Sequence, residues 1–232
     1  MRVGLLLCDH LREMLPSDVR SYDGLFYDLL AEHVAKLDMR VYDVEIGCLP
    51  ADLYDCERFI VTGSRAGAYQ ALPWIPRLEH WIRSAVVAGR PLIGVCFGHQ
   101  IIAQALGGSV TQSRNGWGVG VRRVPVFSRG LAARLGKPEL SLVYSHQDQV
   151  TALPPGAAPL AGDGFCRYAS YQIGGRVLSF QGHPEFTHPV ARYLLRNQYP
   201  DLLPAERAGA WNSLQEPTDH RAVARMMLEY GA

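Results

Sequence analysis

Apolar and polar positions alternate along the chain between two periods. Val3–Cys8 is a continuous apolar run, the signature of a strand buried on both faces. Tyr22–Leu37 then places Leu25, Phe26, Leu29, Leu30, Val34 and Leu37 on a helical period. Strand patterns follow at Arg40–Val44 and Phe59–Thr62, the latter closing on Gly63–Ser64. Ile75–Ala88 predicts a second helix stopped by Gly89. Pro91–Val95 predicts a strand that ends at Cys96, and His99–Leu106 a helix closed by Gly107–Gly108. Strands alternating with helices at this spacing predict an α/β fold with a mostly parallel central sheet covered on both faces.

After Gly108 the rhythm changes. Ser109–Thr111, Val119–Val126, Ser141–Tyr144, Phe165–Tyr171 and Arg176–Phe180 are short strand-like runs separated by Gly, Pro and Asp, which predicts antiparallel additions beside the main sheet. Leu131–Leu135, Pro189–Gln198 and Arg221–Tyr230 predict helices, and the Pro-rich, polar stretch 199–219 carries no clear pattern. No stretch has the composition of a linker to an independent second domain. The expected organisation is one catalytic domain over residues 1–190, with 191–232 a helical extension packed on it.

Composition narrows the function. The chain of 232 residues is 48% hydrophobic, enough for a sizeable core, and its net charge of +1 makes no electrostatic case for nucleic acid or an anionic membrane. No apolar run reaches the ~18 residues of a membrane span. The apolar start before Cys8–Asp9–His10 suits a buried strand better than a signal peptide. Five cysteines, at 8, 48, 56, 96 and 166, show no C-x-x-C spacing, which predicts free thiols in a reducing, cytoplasmic setting.

One of these cysteines has the flanks of a nucleophile. Alone, a cysteine after an apolar strand reads as a small core residue. Cys96, however, sits at a strand-to-helix turn between Gly94 and Gly98, the arrangement of a nucleophile elbow with Cys in place of Ser. The following helix points its positive end at the sulfur, which favours thiolate. Such a nucleophile needs a base and the base an orienting group. His183 follows the Val177–Phe180 strand, at the sheet edge where Cys96 also lies, and Glu185 stands two residues on. No other histidine so clearly joins a strand end to a neighbouring carboxylate, although Asp9–His10 also ends a strand. An oxyanion hole requires backbone N–H donors, and Phe97 and the Thr62–Arg65 loop are placed to give them. The spacing of His183 and His188 is not that of a helical metal pair, and no third ligand stands out, so neither metal nor cofactor is expected. Gly116–Gly120 lacks the following helix of a dinucleotide loop.

These motifs resemble class I glutamine amidotransferases. Gly94-Val95-Cys96-Phe97-Gly98-His99-Gln100 is similar to their G-x-C-x-G-x-Q signature, and Gln181-Gly182-His183-Pro184-Glu185 to their Q-x-H-P-E. Thr62-Gly63-Ser64 stands where the family has its oxyanion loop, and Ser145-His146-Gln147-Asp148-Gln149-Val150 resembles a segment of the amidotransferase part of GMP synthetase. The resemblance implies a flavodoxin-like three-layer fold and a Cys96–His183–Glu185 triad that cleaves a γ-glutamyl amide through a thioester. It implies oxyanion donors at Phe97 and at Ser64 or Gly63, and places Gln100, Ser145 and His146 at the amino-acid end of the substrate. Ser64–Arg65 in place of Gly-Pro, Gly182 in place of an aromatic residue, and Gly116-Trp117-Gly118-Val119-Gly120 look more like the stand-alone branch, which includes γ-glutamyl peptidases acting on glutathione conjugates. The expected partner is a small-molecule substrate, its leaving group selected by pocket walls such as Arg65, Tyr69, Arg114 and Trp117. Two other readings stand beside this one: a glutaminase subunit that feeds ammonia to a separate synthetase, and a non-enzymatic binding member of the fold.

Overall fold

The computed structural model describes residues 1–11, 14–16, 18–19 and 21–231. Its centre is a seven-stranded sheet in the order β2-β1-β3-β4-β11-β10-β9. The strands are β1 (Arg2–Leu7), β2 (Asp38–Asp43), β3 (Arg58–Val61), β4 (Leu92–Val95), β9 (Ala157–Ala161), β10 (Ser170–Ile173) and β11 (Val177–Phe180). The first five in that order are parallel, and β10 and β9 add antiparallel at one edge. The apolar runs of β3, β4 and β11 are buried along their whole length, as a sheet covered on both faces requires. The edge strand β2 is mostly exposed or half-buried and correspondingly polar.

Helices cover both faces. On one, α1 (Tyr22–Ala31) and α7 (His220–Glu229) bring Phe26, Leu30, Val223 and Met227 into a cluster with Leu5, Ile60 and Leu178 of the sheet. On the other, α2 (Trp74–Val87) and α3 (Phe97–Ala105) bring Leu78, Ile82, Ile101 and Ile102 against Leu6, Val61 and Leu92. The last helices therefore share the core of the sheet. Two antiparallel pairs complete the additions: β5 (Ser109–Gln112) with β8 (Asp148–Ala152), and β6 (Gly118–Pro125) with β7 (Glu139–His146). The remaining helices are α4 (Arg129–Leu135), α5 (His188–Asn197) and α6 (Pro204–Ser213).

Several elements differ from their sequence pattern. The helix expected over Tyr22–Leu37 stops at Ala31, because the chain must turn before Asp38 pairs in parallel with Arg2. Val34 and Leu37 still pack on the core from that turn. The strand expected from Phe165 begins only at Ser170: the Asp163 carboxylate accepts the N–H groups of Phe165 and Cys166 and curls the chain into a turn. Strand β9, with Pro159, is tolerated because it forms the sheet edge. Within 199–219, α6 starts at Pro204 in its first turn, and Glu206 accepts the N–H of Leu203. Among the described residues no helix is long and apolar enough to cross a membrane.

Candidate active site

Cys96 occupies the turn between β4 and α3 with φ 53° and ψ −103°, a conformation that costs a non-glycine residue about 1–3 kcal/mol. Surrounding bonds hold it: its N–H donates to the Phe180 carbonyl at 2.9 Å, and its carbonyl accepts the Gln100 N–H at 3.1 Å. Both flanking glycines are required by close approach. A Cβ on Gly94 would lie 2.6 Å from the Gly98 carbonyl oxygen, and one on Gly98 only 2.1 Å from that of Val61. Crowding thus brings the elbow against β3, where the Gly98 N–H donates to the Thr62 carbonyl at 3.0 Å.

His183 reaches the same cavity from β11. Its N–H donates to the Val143 carbonyl at 2.7 Å. A Cβ on Gly182 would lie 2.7 Å from that of Leu142, so the approach to β7 leaves no room for a side chain at 182. The ring lies flat on Phe186, with centroids 4.1 Å apart. Nδ1 and the Glu185 Oε1 atom are 2.6 Å apart, and both side chains are buried. Nε2 has no hydrogen-bond partner among the described residues. Burial disfavours the imidazolium, but the Glu185 carboxylate and the Cys96 sulfur outweigh it and raise the pKa of His183 to about 10.

The loop after β3 approaches from the other side. The Gly63 N–H donates to the Tyr22 hydroxyl at 3.1 Å, the Arg65 N–H to Asp9 Oδ2 at 3.0 Å, and the Ala66 N–H to Ser64 Oγ at 3.0 Å. The Ser64 and Phe97 N–H groups have no acceptor among the described residues. Asp9, 2% exposed, also binds the Arg65 guanidinium through Nε at 2.8 Å and Nη2 at 2.9 Å. These bonds outweigh the cost of burial and hold the Asp9 carboxyl below its usual pKa.

A cavity of about 300 Å³ joins these groups, and Ser64, Cys96, Gln100, Ser145, His146 and His183 line it. Gln100 donates from Nε2 to the Asp148 carbonyl at 2.7 Å and to Gln181 at 3.2 Å. Ser145 bonds the Tyr199 hydroxyl at 2.5 Å. His146 Nδ1 lies 3.0 Å from the Asp148 carbonyl, and burial lowers its pKa to about 3, so this ring is neutral at physiological pH. Arg65, Tyr69 and Trp117 line the cavity as expected. Arg114 does not: it lines a separate surface recess beside the β5–β8 pair. Among the described residues no group of three or more His, Cys, Asp or Glu side chains is arranged to hold a metal ion.

A profile of the family described as Glutamine amidotransferase class-I matches residues 31–201. The chain belongs to the class I glutamine amidotransferase family. It is 31% identical to Gamma-glutamyl peptidase 4 of Arabidopsis thaliana over 73% of this chain and 69% of the relative. It is 35% identical to a glutamine-hydrolyzing GMP synthase of Thermomicrobium roseum over 76% of this chain, but only 34% of that protein. The solved structure of a glutamine amidotransferase from Methylobacillus flagellatus superposes with a TM-score of 0.71, covering 96% of this chain and 93% of the other, at 24% identity. The protein is accordingly an enzyme of that family, with its mostly parallel three-layer fold.

This amidotransferase builds its cavity from more residues than the motifs named. Tyr22, the first residue of α1, reads in sequence only as a helix start, yet its hydroxyl lies between Glu185 and Gly63. Asp9 drew notice only as the neighbour of His10, which instead pairs with Asp43 at 2.8 Å. Tyr199 lay in the patternless stretch. Its φ of 65° and its edge-on contact with Trp117, at 5.0 Å, place it on the cavity wall. Arg207 of α6 accounts for that backbone by donating to the Tyr199 carbonyl at 2.6 Å.

Proposed function

We propose that this amidotransferase hydrolyses a γ-glutamyl amide, either glutamine or a γ-glutamyl compound, through a thioester on Cys96. The observation that carries the reading is the His183 ring: Nδ1 is held by Glu185, while Nε2 is uncommitted in the cavity that Cys96 lines. Cys96 acts as nucleophile, His183 as general base and acid, and Glu185 as the group that orients and charges the imidazole. The sulfur adds to the γ-carbonyl carbon, and the carbonyl electron pair moves onto oxygen. His183 protonates the departing nitrogen as the C–N bond breaks, releasing ammonia or an amine. Water then adds to the thioester, giving its proton to His183; the C–S bond breaks and the thiol is restored as glutamate leaves.

Of the two expected donors in the loop, Ser64 is preferred over Gly63. The Gly63 N–H already serves Tyr22, whereas those of Ser64 and Phe97 are unspent. Each such donor is worth about 10²–10³-fold in rate. Gln100, Ser145 and His146 form the polar wall to which we assign the amino-acid end of the substrate. The similarity to Gamma-glutamyl peptidase 4 supports an amine or peptide as leaving group. The match to part of a GMP synthase supports a second reading, a glutaminase subunit that passes ammonia to a separate synthetase. Five unpaired cysteines, four of them buried, fit a reducing compartment such as the cytoplasm.

The test is a hydrolysis screen of glutamine, γ-glutamyl amines and γ-glutamyl peptides with the wild type and Cys96→Ala. Loss of all turnover in the variant, together with labelling of Cys96 by a glutamine-like chloroketone, is the expected result. Turnover at the wild-type rate in Cys96→Ala ends the proposal. Stimulation of wild-type glutaminase by a synthetase-containing fraction decides for the second reading.

A further inference from the structure

Tyr22 is tied to both halves of the site at once. Its side chain is 1% exposed, and its hydroxyl donates to Glu185 Oε1 at 3.0 Å. The same oxygen of Tyr22 accepts the Gly63 N–H at 3.1 Å. Glu185 Oε1 is also the atom that holds His183 Nδ1, and Glu185 Oε2 is buried with no partner among the described residues. Apart from His183, the Tyr22 hydroxyl is thus the one donor to this carboxylate among the described residues. The contact is tight, since a Cβ on Gly63 would lie 2.6 Å from the hydroxyl and 3.0 Å from His183 Cε1. Phe26 and Phe186 hold the Tyr22 ring by edge-on and tilted packing, at 5.5 Å and 6.1 Å.

We infer that Tyr22 is a positioning residue that couples the carboxylate behind His183 to the loop presenting the Ser64 N–H. The inference rests on the triad reading above and deepens it. The hydroxyl has two consequences. By donating to Glu185 it draws off part of the carboxylate's charge and so weakens the hold of Glu185 on the imidazolium proton. By accepting from Gly63 it holds the Thr62–Gly63 peptide, the plane before the Gly63–Ser64 peptide that carries the Ser64 N–H and whose carbonyl accepts the Thr62 hydroxyl at 3.0 Å. Asp9 sets the following plane through the Arg65 N–H, so the loop is anchored on both sides of Ser64.

The titratable groups that bear on this cluster are Cys96 and Glu185, which act on both Tyr22 and His183, and His146, which interacts with His183. Tyr199 and Cys166 bear on it through Cys96. None of them replaces the lost donor when the hydroxyl is removed. Tyr22→Phe therefore leaves the ring packing and makes Glu185 a stronger partner for His183.

The experiment compares wild type and Tyr22→Phe by two readouts: steady-state hydrolysis of glutamine or the best substrate of the screen, and the pH dependence of Cys96 alkylation by iodoacetamide. The expected result is a fall in kcat of about tenfold or more with KM nearly unchanged, because the loop N–H is misaimed. The basic limb of the alkylation profile should move upward by about one pH unit, the size of one lost hydrogen bond to a charged group. In a Glu185→Gln background the same substitution should no longer move that limb. A Tyr22→Phe variant whose basic limb stays in place, with any loss of kcat matched by loss of folded protein, overturns the inference and makes Tyr22 a packing residue. That outcome is distinct from failure of the triad, which Cys96→Ala and the wild-type alkylation profile report independently.

Discussion

The close approach of α3 to β3 can be tested with a single methyl group. Gly98→Ala would put a Cβ 2.1 Å from the Val61 carbonyl oxygen and 2.7 Å from its carbon. Both are backbone atoms of a central strand, so neither can swing aside as a side-chain tip could. The helix must shift, and overpacking of this kind costs about 1–3 kcal/mol. The shift also stretches the Gly98 N–H bond to Thr62, and loss of a buried backbone bond costs about 1–3 kcal/mol more. Replacing glycine within a helix returns about 1 kcal/mol. The net loss is about 3 kcal/mol, a large share of the roughly 5–15 kcal/mol of a typical domain. At about 2–4 °C per kcal/mol, Tm should fall by about 6–12 °C in a thermal melt followed by circular dichroism. Gly209→Ala is the control. Gly209 lies inside α6, exposed, with nothing within 4 Å of the added Cβ, so the same change there should raise Tm by a few degrees. A Gly98→Ala protein that melts within about 2 °C of wild type would refute the steric argument, as would equal losses in both variants.

Two further outcomes follow from the geometry. Because the pKa of His183 is raised to about 10 in the fold against 6.5 for a free histidine, the folded state holds the extra proton between those values. The stability it contributes is complete below pH 6.5 and is lost as pH rises through 10. Urea midpoints should therefore fall over that window more steeply in wild type than in His183→Gln, and parallel curves would contradict the shift. Gly63→Ala would insert a methyl group among Tyr22, His183 and Cys96, the last of which has its Cβ 3.6 Å away. Activity should drop at least a hundredfold in the hydrolysis assay while the melt shows a folded protein; near-normal turnover would mean the loop has room that this packing denies.

The sheet and the elbow were legible in the chain because local rules govern them. A buried parallel strand must be apolar throughout, so β1, β3, β4 and β11 stand out as continuous runs. A sharp strand-to-helix turn needs small neighbours, so Gly94 and Gly98 mark Cys96. His183 and Glu185 were readable for a similar reason, being two residues apart at a strand end. The C-terminal part was less legible. Strand β9 is alanine-rich and carries a proline, and it exists as a strand only because β10 offers it an edge. The 165–169 segment looks like a strand, but the local bonds of Asp163 turn it away.

What the sequence determined by itself is a candidate apparatus: an α/β sheet whose strand ends present Cys96, His183 and Glu185 on one edge. Periodicity and turn chemistry suffice for that, since each residue's place follows from neighbours a few positions away. Only the tertiary structure decided how that apparatus is held. Tyr22 lies 163 positions from Glu185, Asp9 56 positions from Arg65, and Tyr199 54 positions from Ser145. A tyrosine at a helix start or an aspartate at a strand end satisfies local rules in many folds, and nothing nearby in the chain says which distant group it will meet. Those partners follow from the packing of α1 on the sheet, the pairing of β1 with β3, and the packing of the C-terminal helices on β6. The Gly63 N–H is spent on the Tyr22 hydroxyl, whereas the adjacent Ser64 N–H has no acceptor among the described residues, a difference that the sequence does not show.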